Sequence, residues 1–188
     1  GDSARITAVP CLSPALFDDF DPGLDGSMWA LTQSNVGPDA QCGAVSGTNA
    51  LVFNGATGRA IISNPIDVSN GGTVSFWIKE GTGTFNNCDR PDLGDDIVLE
   101  YSINGGVAWV QIGTNYQPGN YSNWTFIEET IPPAAQTIAT QFRWTQVGFS
   151  FQGGDNWAID DVMIQCCGNS CANYAYNWTP NVGISDPS

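Results

Sequence analysis

Two acids stand inside an otherwise apolar run near the C-terminal end of the chain, where residues 157–164 read Trp-Ala-Ile-Asp-Asp-Val-Met-Ile. At the strand period of two, Trp157, Ile159, Asp161 and Met163 share one face, and Ala158, Asp160, Val162 and Ile164 share the other. Neither is a solvent face, so each carboxylate needs a partner, because a bare buried charge costs several kcal/mol or more. A second pair, Asp18 and Asp19, lies between Phe17 and Phe20. The chemistry that suits such groups is a calcium ion, held by about six to eight hard oxygen ligands. With the first and last strands as neighbours, Asp18, Asp19, Asp160 and Asp161 meet at Ca2+, one member of each pair facing solvent. The competing arrangement has Asp19 capping a turn and Asp161 paired with Arg143 as the buried arginine. The loop acids Asp89, Asp92, Asp95 and Asp96 form either a second cation site or a solvated loop.

Other chemistry is narrowed by what the chain lacks. It contains no histidine, which removes the usual general base and the usual zinc ligand. Paired carboxylates also serve glycosidases, but no Glu sits in an aromatic cleft pattern, so the chain is expected to be non-enzymatic. Five Lys and Arg against 19 Asp and Glu give a net charge of −14, which repels nucleic acid and anionic lipid. Of those acids 15 are Asp, the residue of turns and calcium loops rather than of helix surfaces. Asn120-Tyr-Ser, Asn123-Trp-Thr and Asn177-Trp-Thr are N-glycosylation sequons, so covalent glycans are expected at Asn120, Asn123 and Asn177. Trp109, Trp124 and Tyr121 offer themselves as a sugar-stacking platform, or as ordinary core.

Strands must position these groups. Gly and Pro are frequent, and charged residues make up only 13% of the chain, leaving almost no candidate for a long amphipathic helix. Strand signals fall at 28–31, 42–45, 50–53, 59–62, 73–79, 97–102, 107–112, 124–128, 137–144 and 157–164, with turns such as Asn54-Gly55 and Asn104-Gly-Gly106 between them. About ten short strands predict an all-β fold, an antiparallel two-sheet jelly-roll sandwich with extended N- and C-terminal segments. The expected division is 1–15 as an N-terminal extension able to donate a strand, 16–167 as the sandwich, and 168–188 as a tail. Six cysteines, Cys11, Cys42, Cys88, Cys166, Cys167 and Cys171, fit disulfides in an oxidising compartment. If the first and last strands are neighbours, Cys11 bridges Cys166 or Cys167 and the remaining one closes on Cys171. No apolar run approaches the ~20 residues of a membrane span, so no membrane insertion is expected. Gly1 reads as a processed end.

Six blocks, in order, resemble a reelin-type repeat over residues 16–165. They are Phe17-Asp-Asp-Phe-Asp-Pro-Gly…Trp29; Cys42-Gly-Ala-Val-Ser…Asn-Ala-Leu-Val-Phe53; Cys88-Asp-Arg-Pro-Asp92; Leu99-Glu-Tyr-Ser-Ile-Asn-Gly-Gly106…Trp109; Gln141-Phe-Arg-Trp144; and Trp157-Ala-Ile-Asp-Asp-Val162. The last block also resembles MAM-like jelly rolls, and 102–109 is similar to an Asp-box hairpin with Asn104 in place of Asp. The tail at 176–188 resembles the opening of bacterial PKD-type, immunoglobulin-like repeats. The resemblance implies a non-catalytic, often calcium-bearing extracellular jelly roll with a Cys42–Cys88 bridge. Donated terminal strands at Ile6 and Ala8 or at Tyr174, Tyr176 and Trp178 suggest head-to-tail self-association into a homopolymer. The expected function is a secreted or cell-surface structural or adhesion protein, the repeating subunit of a filament. The alternative is a carbohydrate-binding module of a larger surface protein or secreted enzyme.

Overall fold

The computed structural model describes residues 14–32 and 36–166. Cys11, Cys167, Cys171, Asn177 and both terminal segments proposed as donated strands lie outside them. Among the described residues there is no α-helix. Eleven strands make two antiparallel sheets: β1 (Leu16–Asp18), β2 (Trp29–Thr32), β3 (Val36–Asp39), β4 (Ala50–Phe53), β5 (Ala60–Ser63), β6 (Gly72–Glu80), β7 (Ile97–Ser102), β8 (Val110–Tyr116), β9 (Thr125–Thr130), β10 (Gln141–Gln146) and β11 (Trp157–Cys166). One sheet runs β3-β4-β11-β6-β9 with β1 added against β11, and the other runs β2-β5-β10-β7-β8. The all-β sandwich expected from the spacing is the fold observed.

The first and last strands are indeed neighbours, with Leu16 opposite Ile164 and Asp18 opposite Val162. β11 is the axis of its sheet. β6 flanks it along its length, while β4 pairs with residues 157–159 and β1 with 162–164 on the other side. Its faces do not follow the simple alternation. The register against β6 shifts between Asp160 and Met163, three residues on β11 spanning two on β6, and Asp161 adopts a positive φ of 46°. This β-bulge resets the period, so that Trp157 and Ile159 before it and Val162 and Ile164 after it all enter the core. Asp160 and Met163 are left on the outer face.

The core is apolar on both inner faces. Leu51, Phe53, Val74, Phe76, Ile78, Trp157 and Ile159 meet Ile61, Ile97, Leu99, Tyr101, Ile112, Phe142 and Trp144. A continuous aromatic chain crosses it, from Phe20 through Trp29, Trp144, Phe76, Tyr116 and Tyr121 to Trp157, with successive centroids 5.6–6.0 Å apart. Three expected strands differ. Residues 42–45 form a loop, whereas the pairing strand is β3, whose Pro38 suits its edge position. Residues 107–109 belong to the hairpin turn, and β8 runs on to Tyr116 instead. Residues 137–140 form a turn that ends in a bridge from Thr140 to Ile66, and β10 begins at Gln141. The buried arginine is Arg59, fully enclosed, and not Arg143.

Candidate functional site

The bulge presents Asp160 and Asp161 to the loop at 43–49, which lies over the outer face of the β11 sheet. Asp160 is fully buried; its Oδ2 accepts from Val45 N at 2.6 Å and Ser46 N at 3.3 Å, and its Oδ1 accepts from Asp161 N at 2.8 Å. Burial pushes its carboxyl above the usual range, opposed by these backbone N–H groups and reinforced by the neighbouring Asp161 charge. Asp161 Oδ1 accepts from Ser46 Oγ at 2.6 Å. The other end of the same loop is held by Asp21, which accepts from Thr48 N at 2.6 Å and Asn49 Nδ2 at 2.7 Å. Gly47, at φ 60°, permits that approach, since a Cβ there would lie 1.7 Å from Asp21 Oδ2.

Asp18 points the other way. It shares the inner face with Leu16, accepting from Phe20 N at 2.7 Å and Trp29 Nε1 at 2.6 Å, while Asp19 Oδ1 accepts from Asp21 N at 3.1 Å. One member of each pair is buried, Asp18 and Asp160, and the other is half-buried. Asp160 and Asp161 thus share a loop with Asp21, and Asp18 belongs to the aromatic core. Asp21 stood in the same acidic run as Asp18 and Asp19, but no spacing rule singled it out.

The second feature is on the outer face of the β10–β7–β8 sheet. The register places Ile62, Arg143, Glu100 and Gln111 in one row across four strands. Arg143 donates from Nε at 2.8 Å and Nη2 at 2.6 Å to Glu100 Oε2, the one ion pair among the described residues. Its guanidinium stacks on Trp109, 4.3 Å from the ring centroid. Trp109 is delivered there by the hairpin at 102–109. Ser102 Oγ accepts from Gly106 N at 2.9 Å and Asn104 Oδ1 accepts from Ala108 N at 3.0 Å, so the side chains of Ser102 and Asn104 close the turn. Along β8, Gln111 Nε2 donates to Asn115 Oδ1 at 3.0 Å, and Asn115 Nδ2 to Asp96 Oδ2 at 2.9 Å.

The three aromatics expected to form one platform are separated. Trp109 lies on this face, Trp124 packs with Ala50, Val52 and Ala158 on the outside of the opposite sheet, and Tyr121 is wedged against Tyr116 and Trp157. The Cys42–Cys88 bridge forms, with the two Cα atoms 5.1 Å apart. Cys166 is buried. Asn120 and Asn123 are exposed on the loop between β8 and β9. Of the loop acids, Asp92 and Asp95 converge with Asp155, one oxygen of each lying within 4.8 Å of the others, and Asp89 receives Asp155 N at 3.4 Å. Asp95 is raised chiefly by burial. No helix among the described residues is long and apolar enough to cross a membrane.

Several solved structures share this architecture. A tandem of two family 22 carbohydrate-binding modules from Paenibacillus barcinonensis Xyn10C matches with a TM-score of 0.55 and 14% identity, over 89% of this chain and 50% of that one. The C-terminal family 22 carbohydrate-binding module of Clostridium thermocellum Xyn10B matches with a TM-score of 0.52 and 14% identity, over 82% of this chain and 95% of that one. A family 27 module from Caldicellulosiruptor saccharolyticus, solved in complex with mannohexaose, matches with a TM-score of 0.51 and 16% identity, over 82% and 97%. At these identities the likeness is one of fold. A family profile, Reelin subrepeat B, matches residues 35–165, so the bulged strand with its paired acids, the hairpin at 102–109 and the bridge from Cys42 to Cys88 all fall within its span, and the chain belongs to the reelin subrepeat B family.

Proposed function

We propose that this domain is a non-enzymatic, extracellular carbohydrate-binding module whose ligand lies on the outer face of the β10–β7–β8 sheet. The observation that carries this is Trp109, a half-buried ring fixed by a tight hairpin and by Arg143, set beside Glu100, Gln111 and Asn115. A pyranose offers an apolar C–H face for such a ring and hydroxyls for planar amide and carboxylate groups. An aromatic wall with a few placed polar groups is the usual form of a ligand site. The shared fold with carbohydrate-binding modules supports the reading. The disulfide and the family support an extracellular setting. The shared fold therefore favours the carbohydrate reading over a homopolymer built from the extensions at 1–15 and 168–188.

Isothermal titration or affinity electrophoresis against soluble polysaccharides tests it. Binding to at least one polymer is expected, weakened by at least about tenfold, equal to ~1.4 kcal/mol, in Trp109→Ala and measurably in Gln111→Ala. Unchanged binding in both variants would place the ligand elsewhere, and no binding to any polymer would overturn the reading.

A structural calcium ion is the second part of the proposal. Asp160 and Asp161 seat one part of the 43–49 loop and Asp21 another, with no basic side chain paired to them, since the one ion pair among the described residues is Arg143–Glu100. Carboxylates, a serine hydroxyl and loop carbonyls are the hard oxygens calcium takes. Asp161 with Asp19 or Asp21 would hold the ion, and its charge would offset the repulsion between Asp160 and Asp161. At a calcium concentration 100 times the Kd the gain is about 2.7 kcal/mol, which for a domain this size raises Tm by roughly 5–10 °C. Differential scanning calorimetry in calcium and in chelator checks it, and Asp161→Asn should abolish the difference. Equal Tm in both media would remove calcium from the account.

A further inference from the structure

We propose, resting on the carbohydrate reading of the same face, that its ligand is a neutral polysaccharide and that the Glu100–Arg143 pair keeps anionic chains out. Recognition of a uronate or sulfate needs a cation free to meet it, and Arg is the usual choice because its planar fork matches such groups. The fork of Arg143 is already engaged, with Nε and Nη2 on Glu100 Oε2 and its flat side on Trp109. Among the described residues no other cation serves this face. Arg59 is fully buried, Lys79 donates to Cys42 O on the opposite sheet, and Arg90 lies in the loop beside Pro91 and Leu93. The remaining basic residue, Arg5, lies outside the described residues. The chain as a whole carries −14, a field that repels polyanions before contact.

The unpartnered atoms of the face ask for hydroxyls instead. Ile97 and Trp144 point into the core, so by the period of two Asp96 and Thr145 belong to the outer side of the same two paired strands. Asp96 is 6% exposed, its Oδ2 takes Asn115 Nδ2, and its Oδ1 has no hydrogen-bond partner; neither has Thr145 Oγ1. A lone carboxylate oxygen can only accept, so the group that completes it must donate, as a sugar hydroxyl does, and a uronate or sulfate brought to the same place would meet a like charge. The row from Ile62 to Gln111 crosses three strand spacings, about 14 Å. That length suits the interior of a chain rather than one terminal sugar.

The test is affinity electrophoresis and titration with neutral polymers (xylan, galactan, mannan, β-glucan) and anionic ones (polygalacturonate, alginate, a sulfated galactan) at two salt concentrations. The proteins are the wild type, Glu100→Gln and, as a control for net charge alone, Glu128→Gln on the opposite sheet, each first checked for folding by its melting curve. The wild type should bind a neutral polymer with little dependence on salt. Glu100→Gln should gain at least about tenfold in affinity for an anionic polymer, lost again at high salt, and Glu128→Gln should not. Salt-sensitive binding of an anionic polymer by the wild type would overturn the inference while leaving a Trp109-dependent carbohydrate site standing. Glu100→Gln behaving as Glu128→Gln does would overturn the role of the pair. Failure of every protein to bind any polymer would remove the carbohydrate reading itself.

Discussion

Replacing Arg59 by Met is expected to cost the domain about 2–6 kcal/mol, the range for leaving two buried acceptors without a donor, and to leave a fraction unfolded at 37 °C. The side chain is fully enclosed, yet it forms no ion pair. Instead it gathers one end of the sandwich by its hydrogen bonds. Nε donates to Gly55 O at 2.8 Å; Nη1 to Phe53 O, Gln146 Oε1 and Asp155 O at 3.2, 2.9 and 2.7 Å; Nη2 to Phe151 O and Gly154 O at 2.9 and 2.8 Å. Its guanidinium lies 4.4 Å from the Phe149 ring centroid. Asn156 and Gln146 also donate to Phe53 O, Gly154 O and Asp155 O, and Gly154 N donates to Phe151 O, so the substitution removes the cited donor altogether from Gly55 O and Gln146 Oε1. Each buried acceptor left bare costs roughly 1–3 kcal/mol.

The loss has an electrostatic signature as well. Burial lowers the Arg59 guanidinium to about 10, opposed by Asp155 and Asp95, so it remains charged at neutral pH. In return Arg59 holds down Asp95, whose carboxyl is already raised by burial and by Asp155 and Asp92. Without Arg59 the folded state binds a proton on Asp95 more readily than the unfolded chain does. Its contribution then grows as pH falls toward the ordinary aspartate value of 3.8 and fades as pH rises. Chemical denaturation of Arg59→Met should show its largest deficit at neutral pH and a smaller one in mild acid. Arg59→Lys keeps a charge but not the fork, and should recover only part of the stability. A deficit below 1 kcal/mol would show that the carbonyls find other donors, and one flat with pH would show that Arg59 does not hold down Asp95.

Neither role of arginine was legible in the sequence. Arg143 alternates with Phe142 and Trp144 and so looked buried, but the same alternation turns it outward, to Glu100 across the strand. Arg59 precedes a short apolar strand in a Gly-rich turn, and only the long-range meeting of 53–55, 146 and 151–155 encloses it. Local pattern served where burial is periodic. β6 and β7 are found at 72–80 and 97–102, against 73–79 and 97–102 expected from alternation. It failed where a single residue changes the phase. The bulge at Asp161 cannot be seen in a string that alternates perfectly through it, and it decides which acids face the core. The acids were visible as groups in need of partners; the partners, Val45, Ser46, Thr48 and Asn49, belong to a loop more than a hundred residues from Asp160 and offer N–H and O–H groups that any sequence carries.

That loop is also why removing the Cys42–Cys88 bridge should cost more than its entropy. For a sequence separation of 46 residues the chain-entropy estimate is about 4 kcal/mol. The bridge is also the centre of a small apolar cluster with Ala50, Val52 and Ala158, against which Ala44 and Trp124 pack, and Lys79 Nζ donates to Cys42 O at 2.9 Å. Cys42 opens the loop whose Val45 and Ser46 N–H groups satisfy the buried Asp160. Freeing it therefore loosens the donors of a buried carboxylate. In a Cys42→Ala, Cys88→Ala protein we expect Tm to fall by more than the roughly 8–16 °C that about 4 kcal/mol gives in a domain of this size. Combining that change with Asp160→Asn should cost less than the sum of the two, because both act on one loop. Strict additivity in calorimetry would mean that the loop keeps its seat on Asp160 without the disulfide, and that the bridge stabilises only by restricting the unfolded chain.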